Sequence, residues 1–170
     1  MRENYLMKCF AVIGICFVID STISYFLPYN YTKTSMTLIP YIGLMMFSLL
    51  VDSFEPPQNY FFATVCGVYY SIVYSNSLAI YILIYCLIAF IRYYLLKIES
   101  FSPIESSLYC ISTIFASEVV VYCLMWMTNT TNLLITQFVF LRLLPTLVMN
   151  LIFSFVVTWI CKYIRVEVEQ

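Results

Sequence analysis

The sequence contains no histidine. That absence removes HExxH metal sites, serine or cysteine triads with an imidazole base, and imidazole proton relays. Charge is scarce as well: 10% of the 170 residues are Asp, Glu, Lys or Arg, against about 25% in ordinary soluble chains. Residues 56–91 carry none at all. With a net charge of −1 and no basic cluster, a nucleic-acid partner is not expected. Only three glycines occur, so close-packed GxxxG surfaces are missing. The seven cysteines (9, 16, 66, 86, 110, 123, 161) stand singly in or beside apolar runs, with no CxxC. They read as small buried hydrophobes, not as a disulfide frame or metal site. No paired aspartates and no nucleophile with its base are visible, so neither catalysis nor a cofactor is expected.

What is present is apolar surface. Hydrophobic residues make up 63% of the chain and the mean hydropathy is +0.92, which points to an integral membrane protein. Hydrocarbon of about 30 Å takes roughly 20 helical residues. On that measure the chain divides into six spans, over residues 9–27, 35–51, 59–75, 77–96, 107–127 and 133–163. The fold class expected is therefore all-α: a polytopic bundle of about six transmembrane helices in a single domain covering 1–170.

Arg2 and Lys8 before the first apolar run superficially suggest a signal peptide, but no small-x-small cleavage site is present, so a retained first helix is expected. The loop 52–58, DSFEPPQ, is the clearest break, because Pro56-Pro57 cannot continue a helix. Residues 75–77 are expected to form a tight turn, 97–106 a polar linker, and 128–132 another turn. Arg2, Lys8, Arg92, Lys97, Lys162 and Arg165 fall on the side of the termini and only Lys33 falls opposite. The positive-inside rule then puts both termini in the cytoplasm. Tyr25, Tyr29, Tyr31 and Trp126 stand where an outer aromatic belt belongs; Tyr93, Tyr94, Trp159 and Tyr163 stand at the inner one. Glycosylation patterns at Asn30 and Asn129 arise readily by chance.

The last run, residues 133–161, is too long for one upright span and carries Arg142, Pro145 and Asn150. Pro145 lacks an N–H and clashes one turn back, so a kink or break is expected near 142–145. Residues 133–144 then either begin the sixth span or form a separate interfacial helix. From Arg142 the polar residues recur every four positions: Arg142, Thr146, Asn150, Ser154, Thr158. They share one helix ridge, which in lipid belongs against other helices.

Three ionisable residues lie within spans: Asp20, Glu118 and Arg142. At 1.5 Å per residue they sit about 10, 14 and 14 Å below the outer surface. A compact cluster of two acids and one base is expected, with Glu118–Arg142 as the favoured pair. Three roles stand open for it: a buried ion pair fixing helix register, an interface for another protein's helix, or a proton or substrate path.

The stretch LRLLPTLVMNLIFSFVVTWICKYI, residues 141–164, resembles the closing pattern of the bacterial rod shape-determining protein MreD family: Leu-Pro-Thr, an Asn five residues after the proline, then a short basic tail. GVYYSIVYSNSLAIYILIYCLIAFIRYYL, residues 67–95, is similar to that family's third and fourth spans, and Asp20 and Glu118 fall where it tends to carry acids. The chain departs from the family at Ser71, at Asn76 and Ser77 in the turn, and in the acidic 52–58 loop. The resemblance implies a multi-pass plasma-membrane subunit of the cell-wall elongation machinery. Such a subunit scaffolds the bitopic partner MreC, through it peptidoglycan glycosyltransferases and transpeptidases, and in rods the actin-like MreB. The alternative is a substrate-binding S component of an energy-coupling vitamin transporter, a similar six-helix bundle. The comparable first-helix stretch, residues 11–15, lacks the Ala-x-x-x-Ala docking motif common there.

Overall fold

Among the described residues of the computed structural model, seven α-helices succeed one another in chain order: α1 (Arg2–Phe26), α2 (Ile42–Leu50), α3 (Gln58–Tyr74), α4 (Leu78–Phe90), α5 (Pro103–Met127), α6 (Ile135–Phe138) and α7 (Leu144–Glu169). A 3-10 turn (Val51–Ser53) extends α2, and π-helical turns come after α4 (Ile91–Leu95) and join α6 to α7 (Val139–Leu143). The structure describes residues 2–27, 36–55, 57–74, 78–95 and 102–169, and among these there is no strand. The turn expected at 75–77, Lys97, and the loop with Tyr29, Asn30, Tyr31 and Lys33 lie outside the described residues, as do the side chains of Arg2 and Arg165.

Among the described residues, three helical stretches are long and apolar enough to cross a membrane: Met7–Phe26, Pro103–Met127 and Ile135–Ile164. The last of these runs through Pro145 without a break. The proline is accommodated by the wide π turn that leads into α7, so α6, the π turn and α7 run on as one uninterrupted helical stretch. α5 begins earlier than the expected 107. Ser102 caps it reciprocally with Glu105 (Ser102 N–H to Glu105 Oε2 2.7 Å; Glu105 N–H to Ser102 Oγ 3.3 Å), and Pro103 takes the first turn, where its missing N–H costs nothing. That Ser-Pro-x-Glu signal was hidden inside the expected polar linker.

The expected helix over 35–51 is the largest departure. Residues 36–41 are not helical, and α2 starts only at Ile42 and has nine residues. Pro40 explains it: its ring disfavours the helical conformation at Ile39, and it donates no amide. α2 is nonetheless the centre of the molecule. Every residue from Gly43 to Leu50 is buried, with α1, α5 and α7 packed around it. α3 and α4 form a tight hairpin in which Gly67 meets the partner backbone directly; a Cβ there would lie 2.6 Å from Ile82 Cα. Aromatic rings fill the space between this hairpin and α2, with Phe47 against Phe62 and Tyr85, and Tyr70 against Tyr41 and Tyr81.

Polarity is distributed inside out. Asp20, Glu118, Arg92 and Arg142 are buried at 0, 0, 2 and 5% exposure, whereas Ile152, Phe155, Val156 and Trp159 of α7 face outward at 53–71%. A soluble fold does the reverse, and the arrangement is compatible with a membrane protein.

Candidate functional site

The extended segment before α2 runs against α7, and its backbone must find hydrogen-bond partners there because it is buried. Alternate residues supply the contacts, as the period of an extended chain requires. Thr37 N–H donates to the carbonyl of Leu141 at 2.8 Å, and Thr146 Oγ1 donates to the Thr37 carbonyl at 3.5 Å. Two residues on, Asn150 Nδ2 donates to the Ile39 carbonyl at 2.8 Å; two further, Tyr41 N–H donates to Asn150 Oδ1 at 2.9 Å. α7 thus presents a polar rail to an extended strap.

Pro145 makes the first of these contacts available. In a regular helix the carbonyl of Leu141 would accept from the N–H of residue 145, but proline has none. The carbonyl is instead taken by Thr37. Thr146 and Asn150 come next at one-turn intervals on the same face, both 0% exposed. The ridge continues with Ser154 and Thr158, also buried, but with different contacts: Ser154 Oγ returns to the carbonyl of Leu151 at 2.8 Å, and Thr158 lies 3.5 Å from Ser107 Oγ on α5.

Where the strap turns into α2, its first amides point back toward α1. Asp20 accepts both, Ile42 N–H at 2.9 Å on Oδ1 and Gly43 N–H at 2.8 Å on Oδ2. A carboxylate at a helix N-terminus satisfies orphan donors and complements the helix dipole. The close approach needs Gly43, since a Cβ would lie 2.4 Å from the Phe17 ring.

Glu118 receives two partners, Arg142 Nε at 2.7 Å on Oε2 and the Tyr41 hydroxyl at 2.6 Å on Oε1. The structure therefore joins Glu118 and Arg142 directly. It does not bring Asp20 into that pair: the expected cluster of two acids and one base resolves into an ion pair plus a separate helix cap. The physical reason is the broken second helix, whose exposed amides compete for Asp20 and were not foreseen. Tyr41 bridges the two parts, its N–H on Asn150 and its hydroxyl on Glu118.

A second ion pair lies at the other end of α2. Asp52, in the 3-10 turn, pairs with Arg92 in the π turn after α4, and the Arg92 guanidinium lies 5.4 Å from the centre of the Tyr109 ring. Sequence reasoning treated both as end-of-span charges and missed the pair. It missed Thr37 and Tyr41 as well; the available signal was Pro40 inside an apolar run.

Chemically, the strap, Asn150, Asp20 and the Glu118–Arg142 pair are joined to one another by hydrogen bonds inside the protein. Among the described residues no group of three His, Cys, Asp or Glu side chains is placed to hold a metal ion. A cavity of about 230 Å³ lies elsewhere, between α4 and α5, lined mainly by Ile84, Leu87, Ile88, Ile91 and Val120 with Tyr109 and small α5 residues.

Fold and site together define an all-helical bundle with three stretches able to cross a membrane by length and composition, built around a short buried helix. No model of a known family, no curated protein and no solved structure matches the chain.

Proposed function

We propose that the chain is a multi-pass protein of the bacterial plasma membrane, with six membrane segments and both termini cytoplasmic. In this reading it acts as a non-catalytic scaffold of the cell-wall elongation machinery, similar to the MreD family. Its partners are a bitopic protein of the MreC kind and, through it, peptidoglycan glycosyltransferases, transpeptidases and MreB. The observation that carries the reading is how the motif residues behind the resemblance are used. Pro145, Thr146 and Asn150 hold the strap before α2 in place, and Glu118 and Arg142 close on each other. Polar groups committed to internal architecture suit a frame that positions other proteins.

The transporter reading has one observation in its favour: a discontinuous helix deep in a bundle is where many transporters hold substrate. Here the unwound backbone is engaged by Leu141, Thr146 and Asn150, which favours the scaffold.

Affinity capture of the tagged chain from detergent tests the proposal. Recovery of wall-synthesis proteins is expected; recovery of an ATPase module, or a clear melting shift with thiamin, biotin or riboflavin, replaces the scaffold with the transporter. Topology is read from intact cells. A cysteine at Asn129 is expected to react with an impermeant thiol reagent while one at Gln58 is protected, and the reverse pattern would invert the arrangement.

A further inference from the structure

α2 is held in one way along its length and in another at its ends. Its middle is buried apolar packing by Met45, Met46, Phe47, Leu49 and Leu50, and Ser48 Oγ donates to the Met45 carbonyl of its own helix at 2.8 Å. Apolar contact is non-directional. The ends are tied by directional, charge-assisted bonds. At the start, Asp20 holds the first two amides and Tyr41 reaches Glu118, which is paired with Arg142. At the finish, Asp52 is paired with Arg92.

Neither end runs on into another helix. The extended strap precedes Ile42, and Phe54 after the 3-10 turn is extended again (φ −112°, ψ 141°). The apolar helical stretch Ile42–Ser53 is about 18 Å long at 1.5 Å per residue. Both arginines stand in π turns of neighbouring helices, Arg92 after α4 and Arg142 before α7. Such wide turns recur at functional positions in helices.

We propose that α2 with its 3-10 turn is a coupling rod, whose axial position is set jointly by the Glu118–Arg142 pair at one end and the Asp52–Arg92 pair at the other. A close-packed interior transmits a displacement without absorbing it, and small sliding of packed helices is an established mode of conformational change. Loosening the tie at Tyr41 shifts the rod and weakens the tie at Asp52, about 18 Å away. The bundle thereby carries a mechanical link between its two ends, whichever partners it serves.

The test uses the full chain in detergent, with Cys86 and Cys123 replaced by alanine and residue-resolved thiol labelling read by mass spectrometry. The reporter is Val51→Cys, at a fully buried position beside Asp52; the internal reference is native Cys66 on α3, 2% exposed. Tyr41→Phe removes the hydroxyl tie to Glu118 and keeps the ring. The expected result is that Tyr41→Phe raises labelling at position 51 at least fivefold more than at Cys66. The reciprocal variant Asp52→Asn, with the reporter Ile39→Cys in the strap, is expected to do the same at position 39. Equal rises at reporter and reference mean general loosening and overturn the proposal. Unchanged labelling at the reporter overturns it as well. If Asp52→Asn does not fold, the Tyr41→Phe arm alone decides.

Discussion

The Glu118–Arg142 pair offers the sharpest test of the architecture. Glu118 is 0% exposed and Arg142 5%, with Nε to Oε2 at 2.7 Å and the Tyr41 hydroxyl on the other oxygen. Glu118→Gln keeps the shape and an acceptor for Tyr41 but removes the charge facing the guanidinium. Arg142→Gln leaves the carboxylate with a hydroxyl as its remaining partner in this pair. Breaking one side of a buried pair costs about 3–5 kcal/mol, because the other charge is left in low dielectric, while replacing both sides is often close to neutral. For a chain of this size about 2–4 °C of melting temperature corresponds to 1 kcal/mol, so each single variant is expected to melt about 6–20 °C lower. The double variant, two neutral amides in contact, is expected to recover at least half of the summed loss. The assay is thermal unfolding in detergent across the four members of the cycle. If the two losses add to within about 0.5 kcal/mol, the residues are not energetically coupled and the reasoning fails.

Asn150→Ala orphans the Tyr41 N–H and the Ile39 carbonyl, at about 1–3 kcal/mol each. A loss of about 2–6 kcal/mol is expected in thermal unfolding, against about 1 kcal/mol or less for Ser154→Ala, whose hydroxyl only returns to its own helix. Gly43→Ala drives a methyl into the Phe17 ring and is expected to cost about 1–3 kcal/mol. Gly14→Ala meets nothing within 4 Å and is expected to stabilise α1 by about 0.5–1 kcal/mol, so equal effects at the two glycines would refute the packing of α2 on α1. Pro145→Ala restores an N–H that competes with Thr37 for the Leu141 carbonyl. Amide exchange at Thr37 is expected to speed up several-fold, in line with about 1 kcal/mol for one hydrogen bond, and an unchanged rate would remove Pro145 from that role.

Much of the helical architecture was legible in the chain, and for a physical reason. Apolar runs as long as residues 107–127 and 135–164 have few structural options, and once such a run is helical the four-residue spacing from Arg142 to Thr158 puts those residues on one ridge. All five of those polar residues are indeed buried on one side. The approach of Glu118 and Arg142 was readable too, since two opposite charges at similar estimated depth in otherwise apolar helices have few other partners. The sequence did not reveal the broken second helix. Residues 35–51 are apolar almost throughout, and a run of that kind reads the same whether it is one helix or an extended strap leading into a short one. Pro40 was visible, but whether a proline kinks a helix or ends it depends on who satisfies the backbone it releases. That was decided by Asn150, Thr146 and the Leu141 carbonyl, which lie more than 100 residues away in the chain. The same long-range supply redirected Asp20 from the expected charge cluster to the amides of Ile42 and Gly43, and brought Asp52 to Arg92. Local pattern places the long apolar helices; only the packed bundle determines where the second helix begins and which buried polar groups meet, because each group's partner is set by the competition among all the donors and acceptors that the fold brings within reach.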